Sequence, residues 1–349
     1  MKYNHRRPAG SLALSRCLRH ILGRRCILVF MALLVTVGGC GQQQVPQNTL
    51  RVGVLKFGTV NWELATVQAN NLAEKRGIHL EVLPLASENA LAVALQGGRV
   101  DLIVSDWLWV ARQRAEGRPY QFAPYSLAVG AVMVNPGAGI ATVPDLAGHK
   151  LGIAGGPVDK TWLLLRAYAK RKYDLDLEQV VEPKYAAPPI INKLMLSGNL
   201  PAAINFWHYN ARLLALGMEP LITVNKMLAA LGVSSAPPLL GWVFDQHWAD
   251  AHGKDLKAFL DATYEAKQIL ATSDAAWEAL RDQVKPETDA VFAAIIAGYR
   301  EGIPKVYGAK QIEAARKLFR ILAKEGGKTL VGPAKSLPDD VFWDGFRLQ

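Results

Sequence analysis

The chain of 349 residues is half hydrophobic and carries a formal charge of +10 at neutral pH, a size that suits two ordinary globular domains. Seven of its basic residues (Lys2, Arg6, Arg7, Arg16, Arg19, Arg24 and Arg25) fall before residue 40 with no acidic residue among them, so removing them leaves +3 for residues 40–349. The high isoelectric point is a property of that first segment, and no nucleic-acid partner is expected from basic surface.

In chain order the first element is the apolar run "ILVFMALLVTV", Ile27 to Val37, which follows the basic stretch. Its 11 residues fall short of the roughly 20 needed to span a bilayer. A basic segment leading into such a run predicts an export signal over 1–39 and a periplasmic location. The run ends in Val37-Gly38-Gly39-Cys40, which resembles a lipobox; the resemblance implies a lipid on Cys40 and membrane anchoring. The alternative is an ordinary small-residue cleavage site. Cys17 and Cys26 lie in the leader and no cysteine follows Cys40, which excludes a disulfide, a thiolate metal site and a cysteine nucleophile from the mature domain. Residues 40–49, polar and uncharged after Cys40, read as a flexible tether.

From Leu50 the pattern alternates. Strands are predicted over 50–57, 79–85 and 100–105, with helices over 61–76, 87–96 and 107–116. Val, Leu and Ile-rich strands separated by helix-length segments indicate a mainly parallel α/β sheet. The apolar segment Tyr120 to Gly137 carries the chain to a second unit, with strands over 150–154, 179–184 and 201–206 and helices over 157–172, 188–197 and 207–216. Prolines in "SSAPPLLGWVF" (Ser234 to Phe244) end that unit and a new strand follows. Helices are predicted over 247–271, 274–283, 288–300 and 309–325. Leu256, Phe259, Leu260, Thr263, Tyr264 and Lys267 fall at helical spacing on a largely apolar face, which reads as core. These elements divide into one lobe over 50–132 and 240–349 and a second over 133–239.

The stretch "KLGIAGGPVDKTW" from Lys150 raises the question of a phosphate cradle. A P-loop places glycine before its lysine, whereas Asp159 precedes Lys160 here, and a carboxylate where phosphate oxygens would sit excludes ATP and GTP. Pro157 suits the first helical position, leaving the N–H groups of Gly156, Val158 and Asp159 for a ligand acceptor. A plain strand-to-helix turn explains these residues equally well.

Three other strand ends carry polar and aromatic side chains: "FGTVNW" (Phe57 to Trp62), "SDWLW" (Ser105 to Trp109) and "NFWH" (Asn205 to His208). Ligands of open α/β sheets sit at the carboxyl ends of strands, so these stretches predict a small-molecule pocket. For each taken separately, core packing of the aromatics and N-capping by Asp106 are the competing explanation. No histidine pair has metal-binding spacing, no GxSxG elbow occurs, and His208 reads first as a structural histidine. No metal, no cofactor and no catalytic residue is expected.

Four stretches in order, "VDLIVSDWLWVARQRAEG", "VPDLAGHKLGIAGGP", "PPIINKLMLSGNLPAAI" and "GWVFDQHWADAHGKDLKAFLDATYEA", make the chain from about Leu50 to Phe319 resemble the substrate-binding lipoproteins of ABC importers in the nitrate, taurine and aliphatic-sulfonate group. The resemblance implies a type II periplasmic binding fold, with two α/β lobes joined by two crossing segments. It also implies a monomer that captures a small solute by hinge closure and delivers it to permease and ATPase subunits. By position, the first lobe would offer Phe57, Thr59, Asn61, Trp62, Ser105, Asp106 and Tyr125. The second would offer Gly156, Asp159, Lys160, Thr161, Asn205, Phe206 and His208, with Trp242 near the return crossing.

Pro157 stands where sulfonate binders often place a hydroxyl, and Pro201 replaces the strand-entry aspartate. With Asp159, these departures favour a ligand with donor or cationic groups, or one read by aromatic contact. Two alternatives stand beside this reading. One is an enzyme on the same fold, like the thiamine-pyrimidine synthases, whose cysteine-rich motif is missing here. The other is a periplasmic sensor or assembly factor.

Overall fold

The computed structural model describes residues 48–233 and 236–348. The expected leader, Cys40 and the tether as far as residue 47 lie outside the described residues. Among the described residues, no helix is long and apolar enough to cross a membrane.

The first sheet has the order β2-β1-β3-β10-β4, built from β1 (Thr49–Leu55), β2 (His79–Leu85), β3 (Leu102–Asp106), β4 (Tyr120–Ser126) and β10 (Leu240–Asp245). Residues Val52, Gly53 and Val54 of β1 are all buried, because helices cover both faces of a mainly parallel sheet. The helices are α1 (Val60–Ala69), α2 (Glu88–Gln96) and α3 (Trp107–Ala115), and α9 (Gln246–Thr272) returns against α1. The second sheet repeats the plan with the order β7-β6-β8-β5-β9. Its strands are β5 (Ala131–Val134), β6 (Lys150–Ile153), β7 (Glu182–Tyr185), β8 (Ala202–Asn205) and β9 (Glu219–Thr223). Its helices are α4 (Lys160–Tyr173), α5 (Leu177–Val180), α6 (Pro188–Leu196), α7 (Trp207–Ala215) and α8 (Val224–Ala230).

Each sheet holds one strand against the common direction, and in each it is the strand entered from the other lobe. β5 is antiparallel to β8 and β9, and β10 is antiparallel to β3 and β4. A chain that leaves one sheet at the carboxyl edge of its strands enters the next from that edge, so its first strand there runs backwards. The crossing from β4 to β5 is tight at Gly130, where a Cβ would collide with the Asn205 carbonyl oxygen.

The segment 120–137 carries the chain from the first sheet into the second, as two strands joined by residues 127–130. Three expectations are corrected. Helix 61–76 ends at Ala69, because Asn71 takes a positive φ of 51° and the chain closes in a separate turn over Glu74–Arg76. β9 and α8 occupy 219–230, where no element was expected. Pro157 does not open α4: the helix begins at Lys160 with Asp159 as its cap.

The C-terminal helices are α10 (Asp274–Ala279), α11 (Arg281–Val284), α12 (Asp289–Glu301) and α13 (Ala309–Val331). They do not keep to one lobe. Phe319 and Leu322 of α13 share a buried cluster with Ile103 and Val243 of the first sheet and Leu151 and Ile204 of the second. From Asn48 onward the chain forms one compact unit.

Candidate functional site

The strand ends singled out in the sequence meet across the seam between the lobes. Asp106 closes β3 and caps α3, its Oδ1 accepting from the Trp109 N–H at 2.8 Å. Its Oδ2 reaches across the seam to Lys160 Nζ, also at 2.8 Å, in the first turn of α4. A second contact joins the lobes where the starts of α1 and α7 approach each other. The Trp62 ring stands edge-on to Trp207 at 6.1 Å and to His208 at 6.3 Å. An ion pair and an aromatic seam thus join the two lobes at the carboxyl edges of both sheets.

Lobe by lobe, the expected residues divide into seam-facing and supporting groups. Phe57 is 80 % exposed on the turn after β1, while Thr59 is half-buried at the start of α1. Asn61 is consumed locally: its amide donates to the Leu55 and Gly58 carbonyls at 2.8 and 2.7 Å, closing the turn that aims α1. Ser105 is half-buried in β3 opposite Gly241. Tyr125 and Trp242 pack on each other inside the first lobe, with Trp242 also edge-on to Phe259 at 4.8 Å. Neither ring has surface to offer a solute, since bulky aromatics in a sheet interior gain most by mutual burial.

In the second lobe Gly156 takes a φ of +83°, a turn conformation that L side chains resist. Thr161 is buried in α4. Asn205 is saturated, donating to the Pro188 carbonyl and Asn192 Oδ1 and accepting from the Phe206 N–H. It fixes the entry to α7 instead of facing the seam. Phe206 is half-buried beside His208.

The helix start at Asp159 differs from expectation in a way that matters chemically. The Asp159 N–H donates to the Gly156 carbonyl at 3.1 Å, and its carboxylate accepts from the Trp162 N–H at 2.9 Å. The end of α4 carries its own anion and is closed to another. Burial raises the Asp159 carboxyl to about 6, against the Trp162 hydrogen bond and Lys160, which lower it. Burial by itself would lower Lys160, yet Asp106, Glu88 and Asp159 hold it above its ordinary range. One lysine therefore answers several carboxylates. His208 is held to about 3 by burial and then by Arg212, so it stays neutral at any physiological pH. A base so weak has little use as a proton shuttle. Among the described residues no group of His, Cys, Asp and Glu is arranged to hold a metal.

An acid whose pKa is raised on folding stabilises the folded state below its unfolded pKa and penalises it as pH rises through the folded value. The Asp159→Asn variant keeps a good cap and removes that penalty. It is expected to be more stable than wild type at pH 8 by about 2 kcal/mol, with the difference gone near pH 4, in urea melts at both pH values.

Trp207 at the seam, and Glu63 and Lys267 inside the first lobe, escaped the sequence reading. Trp207 was passed over beside His208. Glu63 directly follows the noted Trp62, and Lys267 sat on a face read as apolar. The structure pairs these last two: Lys267 Nζ contacts Glu63 Oε2, which also accepts from the Tyr299 hydroxyl at 3.1 Å, and the ammonium lies 3.9 Å from the Tyr125 ring centre. A recurring signal was present as well. Asp-x-x-Trp occurs five times; at 106–109, 159–162 and 245–248 the aspartate caps a helix through the tryptophan N–H, whereas at 274–277 the cap is Ser273 and at 340–343 the Trp343 N–H donates to the Phe122 carbonyl.

Comparison with known proteins places this architecture. Residues 68–276 match the family model described as NMT1/THI5 like, while no curated protein sequence matches. Among solved structures, the periplasmic aliphatic sulphonate binding protein SsuA from Escherichia coli is 18% identical at a TM-score of 0.66, covering 84% of this chain and 96% of that one. The alkanesulfonate-binding protein SsuA from Xanthomonas axonopodis pv. citri, bound to MOPS, is 20% identical at 0.62, with 83% and 98% covered. The desulfurization enzyme DSZB is 15% identical at 0.55, with 84% and 98% covered. These likenesses agree in fold with the two five-stranded α/β sheets of a type II periplasmic binding protein. With its family model spanning more than half of the sequence, the chain belongs to the NMT1/THI5-like family.

Proposed function

We propose that the chain is an exported solute-binding protein of an ABC importer. It holds a small organic molecule between its lobes and passes it to a permease and its ATPase. The observation that carries this reading is the pair of facing strand edges bridged by Lys160 and Asp106. Charged and aromatic groups from both lobes converge there, which is what a ligand enclosed by hinge closure requires. The solute-binding proteins among the solved relatives support the same role. Export is supported by the basic leader and apolar run, and anchoring by a lipid on Cys40 after Gly38 and Gly39. The proposed wall residues are Phe57, Thr59, Trp62, Ser105, Asp106, Gly156, Lys160, Phe206 and His208. Asn61, Tyr125, Asn205 and Trp242 support them from behind.

The closed anion site on α4 and the carboxylates around Lys160 favour a solute bearing a cation or several donors over nitrate or a sulfonate. Isothermal titration with taurine, nitrate and a cationic aromatic amine tests this, and tight binding of either anion would overturn the ligand class. Radiolabelled uptake of the bound solute is expected to fall to background in a deletion strain. Release of a chemically changed product from the purified protein would replace transport with catalysis.

A further inference from the structure

The segment between α9 and α13 belongs by chain order to the first lobe, yet it is built against both. Leu270 at the end of α9 enters a buried cluster with Trp277, Leu280, Phe292, Ile295 and Tyr299, which also contains Trp62 of α1 and Ala211 of α7. Anchoring to the first lobe is explicit. Arg300 Nε donates to the Leu270 carbonyl at 3.1 Å, and the Tyr299 hydroxyl donates to Glu63.

Anchoring to the second lobe is equally specific. Gly298 lies flat on the Trp207 ring, where a Cβ would sit 3.1 Å from two ring carbons, and Tyr299 stands 6.5 Å from the same ring. Arg212 of α7 donates to the Val284 carbonyl at 2.8 Å and the Lys285 carbonyl at 3.2 Å, and pairs with Glu287. Those carbonyls end α11, where Lys285 turns into the left-handed region at a φ of 49°. A guanidinium at a helix C-terminus answers both the open carbonyls and the negative dipole end. The segment then finishes on the crossing: Gly302 O accepts from the Leu127 N–H at 2.8 Å and from Ser126 Oγ at 3.4 Å.

We infer that residues 274–303 form a strap across the two lobes, latched by Arg212 and Trp207, and that the cleft opens only when α12 releases α7. The inference rests on the solute-binding reading above, in which the lobes separate to admit a ligand, and adds the element that governs the separation. Two lobes joined only by crossing segments would rotate freely about them. Here the strap grips the second lobe beside the aromatic seam and the crossing at once, so rotation must strip Gly298 from Trp207 and Arg212 from its carbonyls. Opening becomes a local undocking event with its own free energy.

Hydrogen exchange on the full chain tests this. The reporters are the Trp109 and Trp162 amides, which lie beside the Lys160–Asp106 pair and touch neither α7 nor the strap. Arg212→Ala and Gly298→Val are expected to speed exchange about tenfold or more both in α12 and at these reporters, with the amides of β1 and β6 unchanged as proof of intact lobes. Arg212→Lys, which keeps the charge and loses the forked geometry, is expected to fall between. Acceleration confined to α12, or no acceleration at all, overturns the strap. Lys160→Met, which removes the cross-cleft contact itself, separates the two levels of failure. If it alone mobilises the reporters, the strap falls and the solute-binding cleft stands. If no variant mobilises them, the reading of separable lobes falls as well.

Discussion

Replacing Lys267 with methionine is expected to destabilise the protein by about 3–5 kcal/mol, the usual cost of leaving a buried charge without its partner. Glu63 is fully buried and Lys267 nearly so. The pair is ringed by Tyr125 and Tyr299, while Glu63 Oε1 has no hydrogen-bond partner. Burial raises the Glu63 carboxyl even against the attraction of Lys267, and burial lowers Lys267 even against Glu63. The two pKa values are drawn toward each other, which marks a pair that costs desolvation as well as gaining contact. Without the lysine, Glu63 must take up a proton to stay buried, so the loss should grow as pH rises above the unfolded carboxylate value. The double variant Glu63→Leu, Lys267→Met is expected to recover most of the stability, because an apolar pair of similar volume avoids both desolvation terms. Urea unfolding of the three proteins at pH 5 and 8 measures this cycle, and a single-variant cost below about 1 kcal/mol would show that water already solvates the pair.

Acidification is expected to cost about 3 kcal/mol between pH 7 and 4 through His208 alone. Its folded value near 3 lies below the unfolded one, with burial as the main cause and Arg212 second. A base depressed in this way contributes stability that is complete above its unfolded pKa and is lost as pH falls toward the folded one. Its Nδ1 has no partner, and its ring is wedged among Trp62, Trp207 and Tyr209, so protonation would strand a charge in an aromatic seam. Asp159 runs the other way, gaining stability as pH falls from about 6 toward 4. The two slopes partly cancel in the wild type. Asp159→Asn should therefore expose a steep acid loss, and His208→Gln should show a gain in stability on mild acidification. Equal pH profiles in both variants would sink the assignment.

Much of this architecture was legible along the chain. Val, Leu and Ile runs placed β1, β3, β6 and β8 within a few residues, because strands inside a helix-covered sheet are rich in small and branched apolar residues, while the edge strand β2 showed itself by Leu80, Val82 and Leu83 among exposed polar neighbours. Asp106 could be proposed as a cap from its place at the end of β3, since capping is a contact within four residues. Pro157 misled because its ring suits both the first helical turn and the turn before it. β9 and α8 were missed since "EPLIT" and "VNKMLAA" are too short for either period to declare itself.

The site was less legible than the fold. Lys160 was noted beside Asp159, but its partner is Asp106, 54 residues earlier and in the other lobe. Lys267 looked like one polar position on an apolar face, and nothing local to it announces Glu63 more than two hundred residues away. Trp207 and Arg212 belong to a helix that reads as an ordinary amphipathic segment until α12 is laid on it. Local chemistry is written in the order of residues: the basic stretch and the apolar run before Cys40, the strand periods, the caps, and the carboxylate that closes α4 to phosphate. Which charges meet across the seam, and which helix straps the lobes together, depend on how two sheets and their C-terminal helices pack. Those contacts are long-range, and their partners are selected by burial and geometry that no window of neighbouring residues contains.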